Sequence, residues 1–168
     1  MSTMEQLEEN TGLVTLGFQC GGSRCLSTKG VKTASSPDGL KGIKVRSMDA
    51  VVWQDVISAL GATPVPVAYT ELYTALQTSV VQGQDNPAGN TVDGKFYEVL
   101  DTFYETEHCY LISAFYSNSD AWDSLPDDYK SVLLGLFQKY QGNQFQADMT
   151  AFTENCYTVM KDAGMTIV

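Results

Sequence analysis

Basic residues are scarce in this chain. Lys and Arg number 10 against 20 Asp and Glu, a formal net charge of −10 over 168 residues. That balance argues against nucleic acid as the partner, because neutralising phosphates needs concentrated cationic side chains. Histidine is scarcer still, with His108 standing alone. No serine or cysteine nucleophile can be paired with it from the sequence. Neither a Walker loop nor a dinucleotide-binding glycine fingerprint is present. The adjacent carboxylates Asp127 and Asp128 are explained by the preference of acids for helix starts. No apolar run approaches the roughly 20 residues that cross a bilayer. Met1–Glu9 is acidic, has no apolar core and does not read as a secretory signal. Internal repeats, low-complexity tracts and interdomain linkers are absent. What remains is an ordinary globular composition, 43% hydrophobic, long enough for one domain or two small lobes.

Cysteine is present but poorly arranged for chemistry. Cys20 and Cys25 have a C-x4-C spacing that fits no standard zinc knuckle, and Cys109 adjoins His108. No metal and no cofactor is expected. A disulfide between Cys20 and Cys25 stays open for an oxidising compartment. Cys109 and Cys156 read as buried, inert thiols.

The few basic residues are not evenly spread. Six of the ten (Arg24, Lys29, Lys32, Lys41, Lys44 and Arg46) fall in one stretch whose only acid is Asp38. Two readings stay open for this segment: a solvated strand-and-loop edge, which accounts for most of its lysines, or a local basic patch that draws a small anion.

Hydrophobic patterning alternates between the two periods. Glu5–Asn10 reads as a helix tail closed by Gly12, and Leu13–Phe18 as a buried strand. A Gly21-Gly22-Ser23 loop leads to a strand from Arg24 to Thr28. Ser35–Gly39 is a turn and Ile43–Arg46 a short strand. Trp53, Val56, Ile57 and Leu60 share one face of a helix over 49–60, ended by Gly61. Pro64 and Pro66 impose an extended segment over 63–66. Thr70 is expected to cap a helix reaching Thr78. Val80–Asp85 is a strand broken by Asn86-Pro87. Lys95–Leu100 is a short helix, and Glu107–Tyr116 an aromatic strand. Ser124 opens a helix start. Leu133, Phe137 and Tyr140, then Phe145, Met149, Phe152, Cys156 and Met160, form stripes of one very long helix or of two in tandem, with Gly142 between them. Met165–Val168 begins a last strand. The expected class is α/β.

Within this frame, Arg46 ends a strand and can hold a carboxylate with two parallel hydrogen bonds. Asn86 ends another strand and can complete that grip. These residues describe a receptor for a small organic acid and not an enzyme.

Six blocks carry a resemblance. They are Leu40-Lys-Gly-Ile-Lys-Val-Arg46, Ala59-Leu-Gly-Ala-Thr-Pro-Val-Pro66, Glu71-Leu-Tyr-Thr-Ala-Leu-Gln-Thr78, Val81-Gln-Gly-Gln-Asp-Asn-Pro87, Lys95-Phe-Tyr-Glu-Val99 and Trp122-Asp-Ser-Leu-Pro126. In order and spacing they resemble the solute-binding receptors of TRAP transporters, the DctP family. The resemblance implies a periplasmic-binding-protein-like fold of two α/β lobes with a long spanning helix. It implies a small carboxylate ligand (a sugar acid, dicarboxylate or keto acid), delivery to the membrane subunits of a TRAP transporter, and a periplasmic or extracytoplasmic location.

Arg46 matches the family's selectivity arginine, Asn86 its companion, Tyr69 a ring that lines the cleft, and Arg24 a second arginine. Asp49 either caps the following helix or accepts a ligand hydroxyl. Family members are nearly twice this length, so the chain resembles a receptor truncated at both ends. Residues 1–23 would be a remnant of the first lobe, 24–111 the core of the second, 112–151 the first lobe returning with the long helix, and 152–168 the start of the return to the second. Two other readings are a non-binding truncated product prone to self-association, and a thiol or metal-binding module built on Cys20, Cys25, His108 and Cys109.

Overall fold

The computed structural model of the protein describes residues 3–31, 36–140 and 143–168. The expected turn start at Ser35 and the break at Gly142 lie outside the described residues. The described residues form six strands: β1 (Leu13–Thr28), β2 (Lys44–Ser47), β3 (Thr63–Pro66), β4 (Gly83–Asn86), β5 (Thr102–Asn118) and β6 (Thr166–Ile167). Seven α-helices accompany them: α1 (Thr3–Thr11), α2 (Val51–Ala59), α3 (Leu72–Gln77), α4 (Ala88–Asp93), α5 (Ser119–Asp123), α6 (Asp127–Tyr140) and α7 (Asn143–Asp162). The class is α/β, as the patterning indicates. No described helix is long and apolar enough to cross a membrane.

The chain divides into two units. One holds residues 1–21 and 111–151, the other 22–110 and 152–168. β1, β5 and α7 contribute residues to both. The second unit contains the packed sheet, ordered β3-β2-β4-β1-β5-β6. β2 runs parallel to β3 and β4, and β1 runs antiparallel to β4 with Cys25 opposite Asn86.

Strand alternation sends successive residues to opposite faces. Leu26, Val45 and Tyr104 pack with Leu40 and Ile57 of α2 on one face. Cys25, Val81 and Phe103 pack on the other with Leu72 and Leu76 of α3, Ala88 of α4, and Cys156 and Met160 of α7. The result is a sheet covered on both sides, the layered solution expected of α/β units.

Two glycines are structurally required. A Cβ at Gly83 would lie 2.8 Å from the Ser27 carbonyl oxygen, and one at Gly61 only 2.2 Å from that of Pro37. Gly61 also has φ +92°, which closes α2 as the sequence indicates.

The other unit packs differently. Phe115 and Phe137 meet at 5.1 Å between ring centroids, and Asn118 caps α5 by accepting from the Ala121 N–H. Gly17 is its only buried residue among those described.

Several local expectations are corrected. Gly21-Gly22-Ser23 is not a loop, since β1 continues through it with Gly22 at φ +96°. Cys20 and Cys25 therefore lie five residues apart on one strand. At about 3.3 Å per residue their Cα atoms are too far apart for a disulfide. Thr70 caps nothing, because Tyr69–Glu71 forms a single 3-10 turn ahead of α3. Lys95–Leu100 reduces to the 3-10 turn Phe96–Glu98, and α4 before it was not foreseen. The Ser124 hydroxyl donates back to the Ala121 carbonyl and so closes α5, while α6 starts at Asp127. The terminal stripes belong to two helices.

Candidate functional site

Parallel strands leave their carboxyl ends at one edge of a sheet, and ligands of open α/β sheets bind outside that edge. Here the carboxyl ends of β2, β3 and β4 carry Arg46-Ser47, Val65-Pro66 and Asp85-Asn86. β1 runs the other way, so its Arg24, one residue before the Cys25–Asn86 pair, reaches the same edge.

Arg24 is 3% exposed and committed to the protein. Its Nε donates to Asp85 Oδ2 at 2.8 Å, and its Nη2 to the Asp85 carbonyl and to Asn86 Oδ1. The guanidinium stacks over the Trp53 ring, 4.7 Å from its centroid. His108 approaches the same carboxylate, with Nε2 3.5 Å from Asp85 Oδ2 and Nδ1 2.8 Å from Thr106 Oγ1. Burial alone would raise the Asp85 carboxyl. The hydrogen bonds and charge of His108 and Arg24 outweigh it and hold the group below its ordinary value.

Asn86 is buried and largely engaged. Its Nδ2 donates to Gln84 Oε1, and Gln84 Nε2 in turn donates to Ser27 Oγ and Thr91 Oγ1. One amide N–H of Asn86 is left. By register, Arg46 lies opposite Gln84, so Arg46, Gln84 and Asn86 share a sheet face.

Arg46 differs from Arg24. It is 4% exposed, and its Nε donates to the Val67 carbonyl at 2.8 Å. Its guanidinium lies 5.9 Å from the centroid of the Tyr69 ring. Tyr69 is held edge-on against Phe96 and donates its hydroxyl to the Asn90 carbonyl. No carboxylate pairs with Arg46 among the described residues. Burial pushes the guanidinium down from its ordinary value, with the nearby Arg24 adding to that and Asp85 opposing it. Arg46 opens on a cavity of about 280 Å³ lined also by Met48, Asp49, Pro66, Val67 and Ala68.

The structure thus joins the predicted residues in two pairs, Arg46 with Tyr69 and Arg24 with Asn86, and places Asp49 beside Arg46. Asp49 does not cap α2, whose N-cap position is Ala50 with no side-chain cap. Trp53, read from its helical face as core, is half-buried over Arg24 instead. Asp85 was not recognised as the partner of Arg24, nor His108 as a neighbour of Asp85. Their separation along the chain hides the pairing, and only the acid within Gln-Asp-Asn-Pro hinted at it. Among the described residues no three His, Cys, Asp or Glu side chains gather as a metal site.

This arrangement sets a buried guanidinium beside a cavity, with an aromatic ring close to it and a polar strand edge. The family model of bacterial extracellular solute-binding protein, family 7 (DctP), matches residues 2–168. The C4-dicarboxylate-binding periplasmic protein DctP of Rhodobacter capsulatus is 35% identical over 160 residues, 94% of this chain and 46% of that protein. A TRAP periplasmic solute binding protein from Escherichia fergusonii, in an apo open structure, matches with a TM-score of 0.89 and 28% identity over 98% of this chain and 55% of its own. One from Roseobacter denitrificans, with bound 3-deoxy-D-manno-oct-2-ulosonic acid, gives 0.82 and 30% over 98% and 54%. The chain spans about half the length of the curated relatives it matches.

Proposed function

Because the chain belongs to family 7 of the bacterial extracellular solute-binding proteins, the DctP family, we propose that it forms the anion-gripping half of a receptor for a small organic acid. That receptor works outside the cytoplasm and hands its ligand to the membrane subunits of a TRAP-type transporter. Its work is binding and release, not catalysis. Two of the similar proteins are named for or hold a C4-dicarboxylate and 3-deoxy-D-manno-oct-2-ulosonic acid, and a carboxylate is what these two ligands share.

The observation that carries the reading is Arg46, a buried guanidinium with no salt-bridge partner among the described residues, beside an open cavity. A desolvated charge is costly until paired. A ligand carboxylate removes that cost with charge-assisted hydrogen bonds from the terminal guanidinium nitrogens. Tyr69 covers the ligand from one side. Asn86 offers its remaining amide N–H. Arg24, tied to Asp85, holds Asn86 in place and positions the edge. Residues 24–111 and 152–168 serve as the second lobe, and 1–23 and 112–151 as part of the first. Lobe closure over the anion would exclude water and strengthen the pair.

The test is an NMR titration of the 168-residue chain with organic acids, following the backbone amides of residues 47–49 and 67–69 in every variant and, in the parent chain, the Arg46 Nε–Hε signal as well. Saturable shifts at millimolar acid are expected, lost in Arg46→Ala and weakened in Arg46→Lys, whose ammonium cannot form the planar two-donor contact. Equal shifts in Arg46→Ala would defeat the proposal.

A further inference from the structure

The cavity that holds Arg46 contains a second charge. Asp49 lines it too, three residues beyond Arg46 in the loop between β2 and α2. The carboxylate is exposed, caps no helix and makes no ion pair among the described residues. A basic and an acidic residue therefore line one cavity without a salt bridge to each other among the described residues. The rest of its lining is Met48, Pro66, Val67 and Ala68. Opposite charges lining one cavity are complementary to a ligand that is itself dipolar.

Resting on the acid-receptor reading above, we propose that Asp49 sets the ligand class. The preferred ligand carries one carboxylate for Arg46 and, a few bonds away, a hydrogen-bond donor for Asp49, either a hydroxyl or an ammonium. An ionised carboxylate only accepts hydrogen bonds. A donor satisfies it. A keto oxygen leaves it unsatisfied, and a second carboxylate meets it with like charge. Of the sugar acids, dicarboxylates and keto acids that the sequence leaves open, the first class fits and the other two are disfavoured.

Three probes separate these cases. D-Glucuronate offers hydroxyls, 4-aminobutyrate offers an ammonium, and succinate places a second carboxylate where 4-aminobutyrate has its ammonium. In NMR titrations of the 168-residue chain, at least one donor-bearing acid should bind about tenfold or more tightly than succinate. That corresponds to one lost charge-assisted hydrogen bond. The tighter of the two donors identifies the partner of Asp49. Asp49→Asn keeps the shape, removes the charge and adds a donor. It should shrink the preference to about threefold or less by improving succinate and weakening the other two. An unchanged amide spectrum away from the loop confirms that the variant folds. Succinate binding as tightly as both donors, or a preference untouched by Asp49→Asn, would overturn the assignment while leaving the carboxylate receptor intact. No response of the Arg46 signal to any of the three acids would overturn the receptor reading and this one with it.

Discussion

The two units of this chain bury their side chains to very different extents. Among the described residues, every buried apolar side chain belongs to the unit of residues 22–110 and 152–168, from Cys25 and Leu26 through Phe103 to Met160 and Met165. The other unit buries only Gly17 among its described residues. It leaves Ile112, Tyr116, Tyr129, Val132 and Tyr140 between 45% and 68% exposed. The lesson is that secondary structure does not require a core of its own. The helices α5 and α6 form from caps, local acids and spacing, while tertiary stability comes from apolar area withdrawn from water. The candidate site sits on the unit that has such a core, where rigid strand ends can hold Arg46 in place.

The sharpest way to break this contrast is to truncate one aromatic in each unit. Phe103 is fully buried and packs against Tyr157. Phe103→Ala should destabilise by about 3–5 kcal/mol in urea unfolding. Phe115 is 38% exposed and has Phe137 as its ring partner. Its replacement by alanine should cost about 0.5–1.5 kcal/mol. Equal losses would mean that both units are packed alike.

Arg24 and Asp85 provide a test of nearly the same size. Removing one member of a buried pair strands the other, so Asp85→Asn should cost about 3–5 kcal/mol. The pair also gives the packed unit a pH signature. Asp85 has a folded value below its unfolded one. Its contribution is therefore fully present above about pH 4, the ordinary carboxylate value, and is lost as pH falls through the lower folded value. Acid unfolding followed by circular dichroism should show a shallower acid limb in Asp85→Asn.

Arg46 should behave in the opposite way to Arg24. Among the described residues its guanidinium has no carboxylate partner to leave behind, so Arg46→Met should change stability by less than about 1 kcal/mol in either direction while abolishing acid binding. Thermal melts and titrations on the same variant would separate the two effects. A large destabilisation without loss of binding would make Arg46 structural.

The exposed apolar side chains of the thinner unit should show themselves in solution. Light scattering across a concentration series should detect self-association of the chain, and Ile112→Lys should reduce it. A sharp monomer at every concentration would show that this surface is inert. The smallest effect expected is in hydrogen exchange. Amides of Cys25–Thr28, Gly83–Asn86 and Phe103-Tyr104 should open only with global unfolding, and those of α5 and α6 well before it.

Much of the fold was legible because it is written locally. The 3.6-residue stripe of α2, the Gly61 stop, the Pro64-Val65-Pro66 strand and the aromatic run of β5 each need only neighbours to be recognised. Where the reading failed, a longer-range force decided. Gly21 and Gly22 suggested a loop by composition, yet pairing across the sheet carries β1 straight through them. Thr70 suggested a cap by residue type, yet the chain enters α3 through a 3-10 turn that uses no hydroxyl. Within the site, Arg46 and Asn86 could be named from blocks in register, Tyr69 and Arg24 from the wider resemblance, and Asp49 from its place just after the strand of Arg46. Trp53 could not, because an aromatic on an apolar helical face looks like core until its neighbour is seen to be a guanidinium.

By itself the sequence determined the α/β class, the acidic character of the chain, the strand-end positions of Arg46 and Asn86 and the family to which they belong. These follow from periodicity, composition and motif spacing, all of them properties of short segments. Only the tertiary structure decided which arginine is paired and which is open. Arg24 and Asp85 lie 61 residues apart along the chain and 2.8 Å apart in space. Their encounter depends on β1 running antiparallel to β4, and that direction is set by packing on both faces of the sheet. The same packing buries Arg46 beside a cavity, with no carboxylate paired to it among the described residues.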